Sequence, residues 1–495
     1  MTASPVAATT VQFNPESRLY IDGRLRESST GKTVDNLNPA TEELLGVATD
    51  ASAQDMDEAI AAARRAFDTT TWSTDRAFRQ HCLLQLHEAL QQEKEEMRAE
   101  LVAEAGAPLG MTYIAQLDWP LAEAIRWPAQ YISDFPWERQ LEEAALMGVP
   151  YNRVVVKEPM GVVGAITPWN FPVEIISNKV GQILATGNTM VLKPAMETPW
   201  SALRWGRIIA EKTDIPAGVV NIVPASDNDV AQRLLTDPRV DMISFTGSTA
   251  VGELIGRLTA ATMKRNLMEL GGKSAYLLLD DANLAETVPG CVGALMHSGQ
   301  GCALTTRMLV PRAHYDQAVE LATAAFAGVT VGDPSDPANF AGPLVSAKQR
   351  ERVMEYIRVA KEQGARVTVG GGKPEGLDRG YFVAPTVLAD VAPEHRVFQE
   401  EIFGPVITVT PYDGGDDGAV EMANNSMYGL AGTVLGSAER AMAVARRIRT
   451  GSVNVNGAIF YGPDAPFGGY KMSGIGRQNG FEGFEQHLQT KVIAY

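Results

Sequence analysis

The sequence predicts the α/β class, with two mostly parallel sheets clothed in helices. Two observations predict it. Short apolar runs alternate with helical stretches along most of the chain, and they fall into two successive sets. With 495 residues and 45% hydrophobic content, the chain is long enough for two or three cores.

Taken in order, a helix is expected near Ser52, where Ser52 and Asp55 match a capping box. Met56, Ile60, Ala63 and Phe67 then recur at helical spacing. A second, long helix is expected from about Arg76 to Glu104, with Cys82, Leu83, Leu86 and Leu90 on one face, so Cys82 reads as core. The runs GVVGAI, TMVLK, VVNIV and DMISF form the first strand set; AYLLLDD, RMLVP, RVTVGG and VITVTPY form the second. Between the sets Cys291 lies in AETVPGCVGALM and reads as packing. Asn152 to Glu158 alternates as an extended arm, and the terminal TKVIAY can pair as another strand.

Net charge is −16, which disfavours nucleic acid and anionic membranes as partners. No apolar run is long enough for a transmembrane helix, and MTASPVAATTVQFNPESRL has neither the basic start nor the apolar block of a secretory signal, so a cytoplasmic location is expected. Three scattered cysteines and six histidines without ligand spacing suggest neither a disulfide framework nor a metal site.

The chemistry concentrates in GQGCALTTR, Gly299 to Arg307. There Cys302 stands among small residues, with the clearance that a thiol attacking a substrate carbon requires. Glu269 of MELGGK and Asn170 of TPWNFP add a base and an amide donor, the groups needed to activate water and to hold a developing oxyanion. FTGSTAVG follows a strand and opens a helix. Gly247 and Gly252 permit a tight turn, and Ser248 with free N–H groups can face a phosphate, although the same pattern serves an ordinary strand-to-helix turn. Lys193 ends the strand TMVLK, and the carboxyl ends of parallel strands are where nucleotides bind.

TPWNFP, VLKPA, FTGSTAVG, MELGGK, GQGC, EEIFGPV and PFGGYKMSG together resemble, in order and spacing, the aldehyde dehydrogenase superfamily; the resemblance runs from NPAT at Asn38 to the C-terminus. It implies an aldehyde dehydrogenase-like fold: a Rossmann-type cofactor-binding domain of residues 1–137 and 160–268, an α/β catalytic domain of 269–478, and a small β oligomerisation arm and tail of 138–159 and 479–495. It implies Cys302 as nucleophile, Asn170 as oxyanion donor and Glu269 as general base. Lys193, Trp169, Gly247, Ser248, Glu401 and Phe403 are the implied cofactor residues, Lys179 a supporting residue near the base, and Tyr461 and Phe467 the wall of the aldehyde tunnel. NAD is the implied cofactor, and a homodimer or homotetramer the implied assembly. Pairing of the arm across subunits is expected.

Three departures from the family pattern stand out. Met196 occupies a position where many NAD-using members carry a carboxylate, with Glu197 next to it, which leaves NADP open. Ala225 and Asp227 replace glycines in VPASDND. Gln478 replaces a glutamate after Arg477, removing one stop in a proton route from Glu269. The expected reaction is oxidation of an aldehyde to a carboxylic acid. The alternatives are CoA-acylating oxidation, which needs no base at Glu269, and a non-catalytic binding or structural protein on the same fold. The tunnel aromatics suggest a medium-length apolar aldehyde. Arg307 reads as structural rather than as a substrate anchor.

Overall fold

A computed structural model describes residues 14–495; residues 1–13, which carry the reading of the N-terminal segment and the start of the cofactor-binding region, lie outside the described residues. One sheet runs, edge to edge, through Arg24–Arg26, Leu19–Ile21, Val220–Ile222, Thr189–Lys193, Val162–Ile166, Met242–Thr246, Arg265–Glu269 and Gly474–Ile475. Its five central strands are parallel. From Val162–Ile166 the chain fills strands first on one side and then on the other, so this strand lies at a topological switch point. A second sheet runs Arg366–Val369, Thr386–Ala389, Val406–Tyr412, Arg307–Pro311, Ala275–Leu278, Gly432–Leu435 and Asn454–Val455.

Strand alternation gives each sheet two cores. Val163, Ala165, Met190 and Leu192 face one apolar cluster, while Val162, Val191, Ile243 and Phe245 face another. Leu277 and Leu309 likewise point away from Tyr276, Leu278, Met308 and Val310. Burial on both faces explains why these strands read as continuous apolar runs. Cys82 and Cys291 are both buried, as their neighbours predict. The Ser52–Asp55 capping box is present at the start of Ala53–Thr69.

One expectation is corrected. The long helix from Arg76 is two helices, Arg76–Gln92 and Lys94–Ala105, broken at Glu93, whose backbone leaves helical geometry (φ −96°, ψ 4°). The break lets Glu93 and Glu100 converge on the fully buried Arg204, at 2.8 and 2.9 Å, an attraction that helical periodicity does not register. The arm strand Arg153–Pro159 is central in a three-stranded sheet, paired antiparallel with Leu488–Ala494 on one side and Glu138–Gln140 on the other. Its own edges are therefore filled within the chain, and only the outer strands offer an edge to another subunit.

Candidate active site

The carboxyl ends of the first sheet and the amino ends of the second meet at one cleft. Ile166 leads into the loop carrying Trp169 and Asn170, Thr246 into Gly247 and Ser248, and Glu269 ends its own strand. On the opposite side Cys302 precedes Arg307–Pro311, and Glu401 and Phe403 precede Val406–Tyr412. The walls touch at Gly272: a Cβ there would come within 2.5 Å of the Cys302 carbonyl.

The segment before Cys302 is held in an uncommon backbone shape. His297, Ser298 and Gly299 have φ of 46°, 55° and 75°. Gly299 lies so close to Gly404 that a Cβ would approach its carbonyl oxygen to 2.0 Å. Gln300 then pins the turn, accepting the Val345 N–H at 3.0 Å and donating to the His297 carbonyl at 3.1 Å. Asn170 donates its side-chain amide to the Gln300 carbonyl at 2.8 Å, and the buried Gln116 donates to the Asn170 carbonyl at 2.8 Å. An amide has a second N–H, so Asn170 is oriented without being exhausted. Cys302 is partly exposed. Burial pushes its thiol up, and the charges of Glu401, Glu269 and Glu174 push it further.

Glu269 is buried, and neither carboxylate oxygen has a hydrogen-bond partner among the described residues. Desolvation holds its carboxyl well above the usual range, against the opposing charges of Lys179 and Arg477. Gly468 lies against it, where a Cβ would meet Oε1 at 2.8 Å. Lys179, buried on the helix Pro172–Ala185, donates to Ser244 Oγ at 2.9 Å, and burial lowers its ammonium to about 8. Ordinarily a buried polar atom without a partner costs free energy; two on one carboxyl mark a group kept for chemistry. The side chain of Gln478 does not bond Glu269; its Oε1 is itself buried without a partner, while its backbone exchanges hydrogen bonds with Phe467 at 2.6 and 2.7 Å.

Along the other half of the cleft, Lys193 ends its strand with an ammonium lowered by desolvation and without a hydrogen-bond partner among the described residues. Gly247 and the exposed Ser248 stand at the N-terminus of Thr249–Ala260, whose Val251 N–H donates to Ser248 Oγ at 3.4 Å. The rings of Trp169 and Phe403 meet edge to face at 5.5 Å, and Phe403 sits at φ 63° with its carbonyl accepting from Gln349 at 2.7 Å. Glu401 turns one oxygen toward Gly272, accepting its N–H at 2.9 Å, and burial raises its carboxyl to about 7. Asp227 accepts the Asp229 N–H at 2.8 Å, capping the next helix.

Tyr461 and Phe467 lie together, ring centroids 5.8 Å apart, with Trp119 4.6 Å from Tyr461. The wall is aromatic but not purely apolar. The Tyr461 hydroxyl donates to Glu174, and Asn178 donates to both of them.

The model of the aldehyde dehydrogenase family matches residues 25–493. The chain belongs to that family. It is 41% identical to a 3-succinoylsemialdehyde-pyridine dehydrogenase of a Pseudomonas species, over 96% of this chain and 97% of the relative. A crystal structure of a Mycobacterium tuberculosis aldehyde dehydrogenase complexed with NAD+ is similar at 40% identity and TM-score 0.92, covering 97% of this chain and 98% of that one. A mutant of aldehyde dehydrogenase C from Pseudomonas syringae, complexed with NAD+ and octanal, is similar at 36% identity and TM-score 0.92, with the same coverage. This aldehyde dehydrogenase is thus an oxidoreductase. Among its described residues no helix is long and apolar enough to cross a membrane.

In this aldehyde dehydrogenase, Arg307 is fully buried and donates to the carbonyls of Met422, Ala423 and Asn425, at the end of the helix Gly415–Asn424, with its guanidinium 4.6 Å from the Phe398 ring. It braces a helix terminus. Sequence reasoning missed Gln116, Gln300, Asn178 and Glu174. Gln116 acts through one long-range hydrogen bond and Gln300 through hydrogen bonds to His297, Val345 and Asn170, none of which leaves a periodic trace. Glu174 did leave a signal, a carboxylate in the otherwise apolar start PVEII, but a first-turn acid is common on any helix.

Proposed function

We propose that this enzyme oxidises an aldehyde to a carboxylic acid through a covalent adduct on Cys302, with NAD+ as the cofactor. One observation carries the reading: Cys302, Asn170 and Glu269 converge across the touching point at Gly272, with Glu269 buried and both its oxygens free. The Cys302 sulfur, as thiolate, attacks the carbonyl carbon and leaves a tetrahedral alkoxide. The second N–H of Asn170 and the Cys302 backbone N–H hold that oxygen. NAD+, when bound, would supply the hydride acceptor; loss of that hydride from the adduct on Cys302 would leave a thioester. Glu269, ionised, takes a proton from water; the hydroxide adds to the thioester carbon, the C–S bond breaks, and the acid leaves with Cys302 regenerated.

The residues present fit a dinucleotide. Lys193 offers an unfilled donor, Ser248 and the amides beside Gly247 offer a helix N-terminus, Trp169 and Phe403 form an aromatic corner, and Glu401 offers carboxylate oxygens for a ribose. Lys179 steadies the ionised form of Glu269. Tyr461 and Phe467 line the approach to the thiol. Apart from Gly474–Ile475, which returns to the edge of the first sheet, the two sheets support a division into a cofactor-binding part (1–137 and 160–268) and a catalytic part (269–478). The arm and tail (138–159 and 479–495) form the assembly surface: the strand edges of Glu138–Gln140 and Leu488–Ala494 and the exposed hairpin residues Leu146, Met147 and Val149 suit a homo-oligomer. A base placed at Glu269 favours water over CoA as the acyl acceptor.

The test is formation of reduced nicotinamide from a panel of aldehydes including octanal, with NAD and NADP in parallel, without CoA, and with Cys302→Ala as control. Turnover by the unmodified enzyme that the control lacks is expected. Turnover that survives in the control, or that requires CoA, would overturn the reading.

A further inference from the structure

Among the described residues whose charge acts on Cys302, Glu174 is the carboxylate that the proposed reaction does not use. It lies in the first turn of Pro172–Ala185, four positions after Asn170. Its Oε1 is doubly held, by the Tyr461 hydroxyl and by Asn178 Nδ2 at 2.5 Å. Asn178 also donates to the Tyr461 oxygen at 2.9 Å, which closes a three-membered cluster and fixes the carboxylate. Its Oε2 takes no hydrogen bond from any described residue. Lys179, the neighbouring cation, donates to Ser244 instead. Aromatic rings surround the cluster: Trp119 stacks obliquely on Tyr461 at 4.6 Å, with Phe460 and Phe467 at 6.5 and 5.8 Å. Glu174 enters its helix four positions after the proposed oxyanion donor Asn170, which is hydrogen-bonded to the turn before Cys302, so the cluster stands on the thiol's side of the cleft.

A helix N-terminus alone would favour an acid here, but it would not explain a carboxylate fixed by two side chains with one oxygen left open among aromatic rings. Glu174 is only partly buried, so its open oxygen can meet an occupant of the cleft; once the occupant displaces water there, one that cannot donate is penalised and one that can is rewarded. We infer that Glu174, set by Tyr461 and Asn178, is a specificity-determining residue that selects aldehydes carrying a hydrogen-bond donor, an ammonium or a hydroxyl group, on the chain beyond the carbonyl carbon. An ammonium group would gain the carboxylate charge and the faces of Trp119 and Tyr461; a hydroxyl would gain the hydrogen bond alone. The proposal adds a donor to the tail where the aromatic positions by themselves suggest a medium-length apolar aldehyde. The inference rests on the aldehyde-oxidising reading of the site.

The experiment compares kcat/KM for aldehydes of matched length ending in methyl, hydroxyl or ammonium: propanal, 3-hydroxypropanal and 3-aminopropanal, with hexanal and 6-hydroxyhexanal as a longer pair. Unmodified enzyme, Glu174→Gln, Glu174→Leu and Tyr461→Phe are assayed. A preference of about tenfold or more for a donor-bearing aldehyde is expected in the unmodified enzyme. Glu174→Gln should lower the ammonium-to-methyl ratio about tenfold and leave the hydroxyl-to-methyl ratio within about threefold. Glu174→Leu should abolish both preferences while methyl-ended aldehydes still turn over. Equal kcat/KM across the series in the unmodified enzyme, or ratios that do not move in either Glu174 variant, would overturn the inference and leave aldehyde oxidation standing. Loss of turnover on every substrate in both Glu174 variants would also overturn it, by placing Glu174 in the chemistry. Absence of turnover on any aldehyde by the unmodified enzyme would instead sink the aldehyde-oxidising reading itself.

Discussion

Glu269→Gln isolates the water-activating step. The substitution is nearly isosteric, and because neither Glu269 oxygen holds a hydrogen bond, it breaks none. The fold should therefore persist and the loss should be chemical. Removing a general base costs about 10²–10⁴ in rate, which is roughly 3–5 kcal/mol of barrier. Attack by Cys302 and formation of the thioester do not use this carboxylate. A stopped-flow trace of reduced nicotinamide should keep a stoichiometric burst while the steady rate falls by that factor. A second readout follows from the raised carboxyl. As a base Glu269 must be ionised, so kcat of the unmodified enzyme should climb with pH above the ordinary carboxylate value of 4.5, and the variant should lack that limb. Stability has the opposite sign. The folded state binds the proton more tightly than the unfolded chain, so folding loses free energy as pH rises from 4.5 through the raised folded value. The melting temperature of Glu269→Gln should therefore gain on the unmodified enzyme as pH rises. A steady rate reduced less than tenfold, or a lost burst with an intact fold, would refute the assignment.

Three further outcomes are expected. Arg307→Ala leaves three helix-end carbonyls unpaired and should cost about 3–5 kcal/mol in urea unfolding; a raised KM at unchanged stability would mark it as a substrate anchor after all. Glu401→Gln keeps an acceptor for the Gly272 N–H but removes a negative charge that raises the Cys302 thiol. Alkylation of Cys302 by iodoacetamide at fixed pH, without cofactor, should then speed several-fold, and an unchanged rate would mean that Glu401 does not govern the thiol. Met196→Glu restores an acid three residues after Lys193 and should depress kcat/KM with NADP at least tenfold relative to NAD, about 1.4 kcal/mol; an unmoved ratio would show that this position does not face the ribose.

The α/β class and four strands of each sheet were legible in the chain, because a strand buried on both faces must be apolar along its length. Arg265–Glu269 was the kind of strand that escapes: Arg265, Asn266 and Glu269 interrupt the apolar run, and pairing with Met242–Thr246 rather than composition makes it a strand. Glu93 broke a helix whose periodicity ran on, because the carboxylates answer to a buried arginine more than a hundred positions away. In the site, Cys302, Glu269 and Asn170 stood out through their small or unusual neighbours. The sequence by itself determined the family and the kinds of group available for chemistry, since residue type and local spacing carry both. Tertiary structure alone decided that Glu269 keeps two oxygens open among the described residues, that Arg307 serves a helix end, that the arm's central strand is filled, and that Tyr461 and Asn178 hold Glu174. Each of these depends on which groups meet after distant segments pack, and on how much water that packing removes, and neither quantity is written in local order.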